Sequence, residues 1–298
     1  MIGVELVKLV RRPRTWISVI LTCALPFVVA VFIAVTHLTP PPGQGSAFLS
    51  DVLQSGALYP AAALAMVLPV FLPVAAAFVA GDSIAGEATM GTLRYLLVRP
   101  VGRTRLLVAK LIAVTSYVLL LIIAVTVTAY ATGVLLLGPS RAGAAAPSVG
   151  SGSITVPGVG APTAGVSPGA GAVTSLSGTP LSLLQLAERT AGAIAFIAVS
   201  MLGVAAIALF LSTITSSALG AALGALAALV ASEILVTLNA ATVIQPYLPT
   251  RYWLAWIDFF REPIFWRNID RGFAIQAVYV VVFLGAAWAN FSTKDVTA

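Results

Sequence analysis

Charged side chains are few in this chain, and one stretch brings acidic and basic ones close together in the sequence. The chain has 298 residues, of which 16 are Lys or Arg and 10 are Asp or Glu, with a single histidine. Residues 81–110 hold Asp82, Glu87 and several basic side chains, whereas Glu233 lies alone in a long apolar run. The single cysteine, Cys23, and the single histidine exclude cysteine-based zinc sites and His-rich metal centres.

The sequence also lacks the short motifs that carry known chemistry. It has no G-x-x-x-x-G-K-[ST] nucleotide-binding loop, no H-E-x-x-H helix and no G-x-S-x-G turn. Two carboxylates close together within an apolar run, which paired acid–base chemistry would need, are absent too. We therefore expect no catalytic, cofactor-binding or metal-binding residues, and the chain is predicted not to be an enzyme.

The overall composition is that of a membrane protein. Hydrophobic residues make up 59% of the chain and charged residues 9%, with a mean hydropathy of +1.03. Soluble proteins carry about 25% charged residues, so this chain cannot cover a water-facing surface. The net charge of +6 does not indicate nucleic-acid binding, because most basic residues flank apolar runs, as they do beside a lipid bilayer.

The apolar runs predict an all-α membrane protein with six transmembrane helices, since about 20 apolar residues cross a bilayer. The predicted spans are residues 16–36, 57–80, 106–137, 188–211, 218–238 and 272–293. Without a break at the polar cluster 212–217, the uncharged stretch 190–232 would form one helix of about 65 Å, twice the membrane thickness. A five-span arrangement would place the arginines between 251 and 271 inside the cell, but it requires that overlong helix.

The distribution of basic residues predicts that both termini are cytoplasmic. Lys8, Arg11, Arg12 and Arg14 precede the first span, whereas residues 37–56 contain no Lys or Arg. The first span is too long for the apolar part of a cleaved signal peptide and no A-x-A site follows it, so we expect it to be retained. The abundance of arginine, alanine and glycine, whose codons are GC-rich, suggests a bacterial cytoplasmic membrane.

The segments next to the spans have different patterns. Residues 2–12 predict an amphipathic helix that lies in the membrane interface and ends at Pro13. Pro69 and Pro73, one turn apart, predict a kink in the second span. Residues 138–180 are rich in glycine and proline and predict a disordered extracytoplasmic loop.

Aromatic side chains concentrate in residues 247–271. Trp253, Ile257, Phe260 and Ile264 recur at helical spacing, with charges between them. This pattern predicts an amphipathic aromatic helix that is anchored at the outer membrane interface.

Glu233 is the only charge well inside a predicted span. An ionisable group in hydrocarbon costs several kcal/mol, so we expect it to face a bundle interior, a cavity or a partner subunit. Arg189 and Arg251 are the nearest candidate partners by depth. The alternative is that the side chain reaches the outer interface, which lies a short distance along the helix.

Residues 81–105, between the second and third spans, predict a short cytoplasmic amphipathic helix. Met90, Leu93 and Leu97 share one helical face, and Pro100 closes the segment. An amphipathic helix with an exposed charged side, just beneath the membrane, suits docking into a groove of another protein.

Within this segment the order E-x-x-x-G-T-L-x-x-L-L-x-x-P-V-x-R runs from Glu87 to Arg103, and Lys110 follows near the start of the third span. It resembles the signature of ABC-2 type transporter permeases, in which E-R-E-x-G-T-L precedes P-V-S-R. The interfacial helix, the six spans and the Lys-Asp pair near the C-terminus are similar as well. Ala88 and Thr89 replace the Arg and second Glu of the family pattern, which leaves fewer charges for contact with a partner.

The resemblance implies the permease half of an ABC transporter, with export as the expected direction. ATP and Mg²⁺ would be bound by a separate ATPase subunit, and a second permease subunit, identical or homologous, would complete the pathway. The segment after the second span would be the coupling helix that transmits ATPase movement. The residues assigned to ATPase coupling are Asp82, Glu87, Gly91, Thr92, Leu93, Arg94, Leu97, Pro100 and Arg103.

Two other functions remain open on the residues alone. The chain could be an ATP-independent secondary transporter or channel, although spans one to three and four to six show no convincing internal repeat. It could also be a membrane assembly subunit without transport of its own. An ATPase partner separates the ABC transporter from both alternatives.

Overall fold

The apolar runs are helices in the computed structural model, which describes residues 2–36, 56–89, 103–137, 173–175, 177, 179–238 and 241–293. The α-helices in these residues are α1 (Ile2–Arg11), α2 (Pro13–Thr36), α3 (Tyr59–Val67), α4 (Phe71–Asp82), α5 (Ala85–Thr89), α6 (Arg103–Thr132), α7 (Leu183–Ile214), α8 (Ala218–Thr237) and α9 (Trp266–Thr293). A π-helical turn, Gly133–Leu137, extends α6. Short 3-10 helices lie at Gly56–Leu58, Gln245–Tyr247 and Ala255–Phe260.

Five of the described helices are long and apolar enough to cross a membrane: Pro13–Thr36, Thr104–Leu137, Leu184–Ile214, Ala218–Thr237 and Trp266–Thr293. A sixth span results if Gly56–Val67 and Phe71–Asp82, which meet at 58°, cross as one bent helix. The predicted fold class, an all-α membrane protein, is therefore confirmed. Over the described residues the number of candidate spans is five, or six with the bent pair.

The bend between α3 and α4 has its cause in two prolines. Neither Pro69 nor Pro73 has a backbone N–H, and the ring of Pro73 crowds the carbonyl group four residues earlier. Helical hydrogen bonding resumes with the bond from Val74 N to Val70 O, at 3.0 Å. The break thus falls where the sequence predicts a kink.

Helix α7 is central to the packing and contacts α4, α6, α8 and α9, while α1, α2 and α3 pack against α6. Helices α4 and α8 approach closely at Gly81. A Cβ atom on Gly81 would lie 3.0 Å from Ala222 N and 3.1 Å from Ala218 O. Small residues at such contacts let helices pack backbone to backbone, which is typical of membrane proteins.

Serine side chains cap the first turns of α7 and α8. Ser182 and Gln185 form a capping box at the start of α7, and Ser217 Oγ accepts a hydrogen bond from Gly220 N (3.1 Å) at the start of α8. These bonds satisfy backbone N–H groups that the first turn of a helix leaves open. The turn between α7 and α8 therefore lies inside the polar cluster 212–217, where the sequence predicts it.

Residues 247–271 do not form the predicted amphipathic α-helix. The chain makes turns and the 3-10 helix Ala255–Phe260, and α9 begins at Trp266. Half of the aromatic rings in this segment are buried, and the 3-10 helix packs against α7 and α9. The buried rings are those of Trp253, Trp256, Phe259 and Phe260. The helix prediction was wrong because the aromatic spacing follows from the filling of a core, which the pattern alone does not distinguish from a helical face.

The last part of the segment predicted to be disordered is ordered. Val173–Thr174 pairs antiparallel with Pro180–Leu181. Ser175 N donates to Thr179 O at 2.7 Å, and Glu262 N donates to Ser177 Oγ at 2.9 Å. The prediction of disorder over 138–180 is therefore wrong for these residues, because a tight turn and a hydrogen bond from Glu262, just after the 3-10 helix, hold them. Residues 138–172 and 90–102 lie outside the described residues.

Candidate functional site

The predicted coupling residues that the structure describes lie at the two ends of residues 81–105. Asp82 ends α4, Glu87 lies in α5 and Arg103 begins α6. The other predicted coupling residues lie outside the described residues: Gly91, Thr92, Leu93, Arg94, Leu97 and Pro100. The described part is thus the base of the segment, where it joins the helices on either side.

The turn from α4 into α5 is tied to the end of α7 by one buried serine. Ser212 Oγ donates to Gly81 O at 2.7 Å and accepts from Ala85 N at 2.8 Å. Thr89 Oγ1, at the end of α5, donates to Ser216 O at 2.9 Å. Backbone groups left open at helix ends are thereby satisfied, and α5 is fixed against the α7–α8 turn.

Glu87 is the centre of a buried charge network. Its side chain and that of Lys110 are each 2% exposed, and Lys110 Nζ lies 2.8 Å from Glu87 Oε2. Lys8 of α1 donates to the other carboxylate oxygen, Oε1. Glu5 Oε2, also on α1, lies 3.8 Å from Lys110 Nζ. The Glu87 carboxylate therefore joins α1, α5 and α6.

A second ion pair fixes the end of α4 to the junction between α1 and α2. Arg12 Nη1 donates to Asp82 Oδ2 at 2.8 Å, and both side chains are partly exposed. A Cβ atom on Gly86 would overlap the Asp82 carboxylate. Glycine at position 86 therefore leaves the room that Asp82 occupies.

The network favours an ionised Glu87. Burial alone raises the pKa of Glu87, but the ammonium groups of Lys110 and Lys8 outweigh that effect and hold the pKa below its usual value. The carboxylates of Glu5 and Glu87 balance the two lysines in charge. Removing one partner of a buried pair leaves an uncompensated charge, which costs about 3–5 kcal/mol.

Glu87 faces the inside of the protein. A direct electrostatic contact between Glu87 and an ATPase, which the sequence suggests, does not fit this placement because the side chain is buried and engaged by Lys8 and Lys110. Glu87 instead positions α5, from which residues 90–102 continue.

Sequence reasoning found Glu87 but missed the groups that hold it. In the sequence, Lys8 and Arg12 stand out only as positive charges that flank the first span. No local sequence pattern links Lys8 to a carboxylate 79 residues away. The pairing of Lys110 with Glu87 could have been predicted from the sequence. A glutamate and a lysine occur together in the signature, on the two sides of one loop, and opposite charges there favour an ion pair.

Glu233 lies on an exposed face of α8. No ion pair to it occurs among the described residues, and Arg189, one of the predicted partners, pairs with Glu262. The preceding Ser232 is buried and lies 2.9 Å, Oγ to Oγ1, from Thr250. Within one subunit Glu233 therefore does not face a bundle interior, and its placement against a cavity or a partner subunit stays a prediction.

Over the described ranges, no group of three or more His, Cys, Asp or Glu side chains is arranged to hold a metal ion. A protein-family model described as "ABC-2 family transporter protein" matches residues 2–261, which include the whole charge network. No curated protein matches the chain. The family match covers well over half of the chain and agrees with the all-α membrane fold. The chain therefore belongs to the ABC-2 transporter family, whose members are membrane permeases of ABC transporters.

Proposed function

We propose that this chain is the permease subunit of an ABC exporter and that residues 81–105 couple it to a separate ATPase. The observation that carries the proposal is the buried network of Glu87, Lys110 and Lys8 at the base of that segment. It ties the start of the segment to α1 and to α6, which leads back into the bundle.

The mechanical consequence follows from the connectivity. Residues 90–102 are joined to α5 on one side and to α6 on the other, and Ser212 holds the α4–α5 turn against α7. A force applied to residues 90–102 would then move α4, α6 and α1 together instead of bending one loop. The ATP-bound and ATP-free states of the ATPase would make different contacts with residues 90–102, and such a difference is required for the ATPase to move the permease helices.

The partners follow from the family. ATP and Mg²⁺ would be bound by the ATPase subunits, and a second permease subunit, identical or homologous, would complete the pathway. An exposed carboxylate within a span is costly against lipid, so the α8 face that carries Glu233 is the part of this chain best suited to meet that second subunit or an aqueous pathway.

The proposed orientation places α1, the α5 region and both termini in the cytoplasm of a bacterium, with Ser177 and Glu262 outside. Lys8, Arg11, Arg12 and Arg14 at the α1 end support it through the positive-inside rule. Single cysteines at Ser216 and Ser177, in a Cys23→Ala background, test it with a membrane-impermeant thiol reagent on intact cells. We expect labelling at 177 and none at 216, and the reverse would overturn the orientation.

Coupling is tested by purifying the permease with the ATPase that its gene neighbourhood encodes. Glu87→Gln keeps the shape of the side chain and removes its charge, while Glu188→Gln on the exposed side of α7 is the matched control. We expect Glu87→Gln to retain the ATPase on copurification and to lower permease-dependent stimulation of ATP hydrolysis severalfold. Unchanged stimulation with Glu87→Gln would overturn the coupling role. Loss of copurification with a normal thermal midpoint would show instead that Glu87 contacts the ATPase.

A further inference from the structure

A cavity beside the charge network combines an apolar wall with a basic rim. Its volume is about 430 Å³, which lies in the range of small-molecule sites. The side chains of Leu21, Phe78 and Leu219 line it and are exposed on the side of the bundle. The cavity therefore opens sideways, towards the surface where a membrane protein meets lipid.

The apolar wall has the depth of one lipid leaflet. The part of α4 that lines it, from Phe71 to Asp82, spans roughly 16 Å at about 1.5 Å per residue. Half of the hydrocarbon core of a bilayer is about 15 Å. The polar groups along the wall satisfy one another, because Ser18 Oγ lies 2.7 Å from Tyr117 OH and Thr22 Oγ1 donates to Ser18 O. The cavity thus presents apolar surface over the length of half a bilayer.

The rim carries a positive charge that the protein itself does not neutralise. Lys8 and Lys110 are engaged by Glu87, and Arg12 is engaged by Asp82. Arg14, at the rim and exposed, forms no ion pair within the part of the chain that the structure describes. A guanidinium group offers five N–H donors in a geometry that matches phosphate oxygens.

We propose that this cavity binds an anionic phospholipid, with its phosphate at Arg14 and one acyl chain along the wall between α2 and α4. A free anion would leave the apolar wall uncovered, and a neutral apolar molecule would leave the charge at the rim unpaired. A phospholipid supplies both parts at the required spacing. In the proposed orientation the lipid comes from the cytoplasmic leaflet, which is rich in anionic headgroups. The inference does not depend on the ATPase.

The headgroup contact is tested by native mass spectrometry of the purified chain with phosphatidylglycerol and phosphatidylcholine. Arg14→Ala removes the charge at the rim, and Arg11→Ala removes an exposed charge that does not line the cavity. We expect Arg14→Ala to bind phosphatidylglycerol about fivefold more weakly and to lose the preference over phosphatidylcholine, whereas Arg11→Ala behaves like the parent. Equal effects of the two variants would overturn the site, because they would indicate general surface attraction.

The acyl-chain contact is tested by filling the wall. Val79→Trp places a large ring in the cavity, and Val108→Trp places the same ring on an exposed part of α6 outside it. We expect Val79→Trp to abolish retention of phosphatidylglycerol while Val108→Trp retains it, with similar thermal midpoints. Retention by Val79→Trp would overturn the insertion of a chain. Displacement of the lipid by glycerol phosphate at equal concentration would overturn it as well, because the headgroup alone would then suffice.

Discussion

At the end of the bundle that holds α1, charged side chains are buried between helices, whereas at the opposite end aromatic rings are buried. Glu87 and Lys110 are each 2% exposed in their ion pair, while the pair of Arg189 and Glu262 at the opposite end leaves its carboxylate 47% exposed. There, the buried rings of Trp256 and Phe260 make an edge-to-face contact with ring centroids 6.2 Å apart.

The two ends should therefore respond differently to perturbation. A buried ion pair depends on both partners, because either charge alone is strongly disfavoured in a medium of low polarity. A substitution among packed aromatic rings destabilises the protein in proportion to the buried surface that it removes and the cavity volume that it leaves. The end with interdependent charges is also the end from which residues 90–102 continue, so a displacement there affects several helices at once.

The largest effect should come from removing Lys110. Lys110→Met removes the buried ammonium group that pairs with Glu87 and leaves the partly exposed Lys8 on that carboxylate. We therefore expect a loss of about 3–5 kcal/mol in the free energy of unfolding. The thermal midpoint of the purified protein in detergent measures it. The double variant Glu87→Gln/Lys110→Met removes both charges and should be more stable than Lys110→Met alone. A double variant as unstable as the single one would contradict the charge explanation.

Acid should weaken the same network without a change in sequence. The folded state holds the pKa of Glu87 below its usual value and therefore binds fewer protons than the unfolded state. The stabilisation is complete above the unfolded pKa of about 4.3 and is lost as the pH falls through the folded pKa. Below that range the parent should lose stability relative to Glu87→Gln/Lys110→Met, which lacks the group. A relative gain by the parent would show that the sign is wrong.

At the aromatic end, a single methyl group should have an intermediate effect. A Cβ atom on Gly272 of α9 would lie 2.5 Å from Phe196 Cζ and 3.2 Å from Tyr252 Cβ, so Gly272→Ala forces the buried ring of Phe196 to move. We expect a loss of about 1–3 kcal/mol in thermal unfolding. Gly285→Ala on the same helix adds its methyl group to open space and should not destabilise the protein. Equal losses would attribute the effect to the helix backbone.

The ion pair at the aromatic end should contribute much less than the one at Glu87. Glu262 is half-exposed, so Glu262→Gln should cost about 1 kcal/mol or less. Adding salt should reduce the small difference between parent and variant further, since exposed pairs are screened. A loss as large as that of Lys110→Met would remove the contrast between the two ends.

The sequence predicted the parts of this fold that depend on composition and local pattern. The all-α membrane class follows from the apolar runs, and the break near Pro69 and Pro73 follows from two missing N–H groups. The segment 247–271 could not be predicted in the same way. Its aromatic spacing fits both an interfacial helix and a packed core, and only the position of α7 and α9 decides between them.

The sequence predicted Glu87 as a residue of the candidate site but did not predict its role in a buried charge network. Glu87 stands out through the signature, but its burial depends on Lys8, which approaches from a helix 79 residues earlier in the chain. No local pattern encodes such a contact, because it arises when α1 packs against α6. The coupling residues between 90 and 102 lie outside the described residues and stay predictions.

The smallest effect on stability should come from Glu233, the charge that the sequence singles out most clearly. Its side chain is exposed on α8 and forms no ion pair with the described residues. Replacing the carboxylate with a neutral amide therefore breaks no ion pair among these residues. Glu233→Gln should therefore leave the thermal midpoint unchanged, like Glu188→Gln on α7 and unlike Lys110→Met. Transport or subunit assembly, measured beside the midpoint, then reports what Glu233 meets outside its own subunit. A drop in either at an unchanged midpoint would place Glu233 at the pathway or at the second permease subunit. A fall in the midpoint of the isolated chain would instead show an intramolecular partner for this carboxylate, and the contrast with Glu87 would no longer hold.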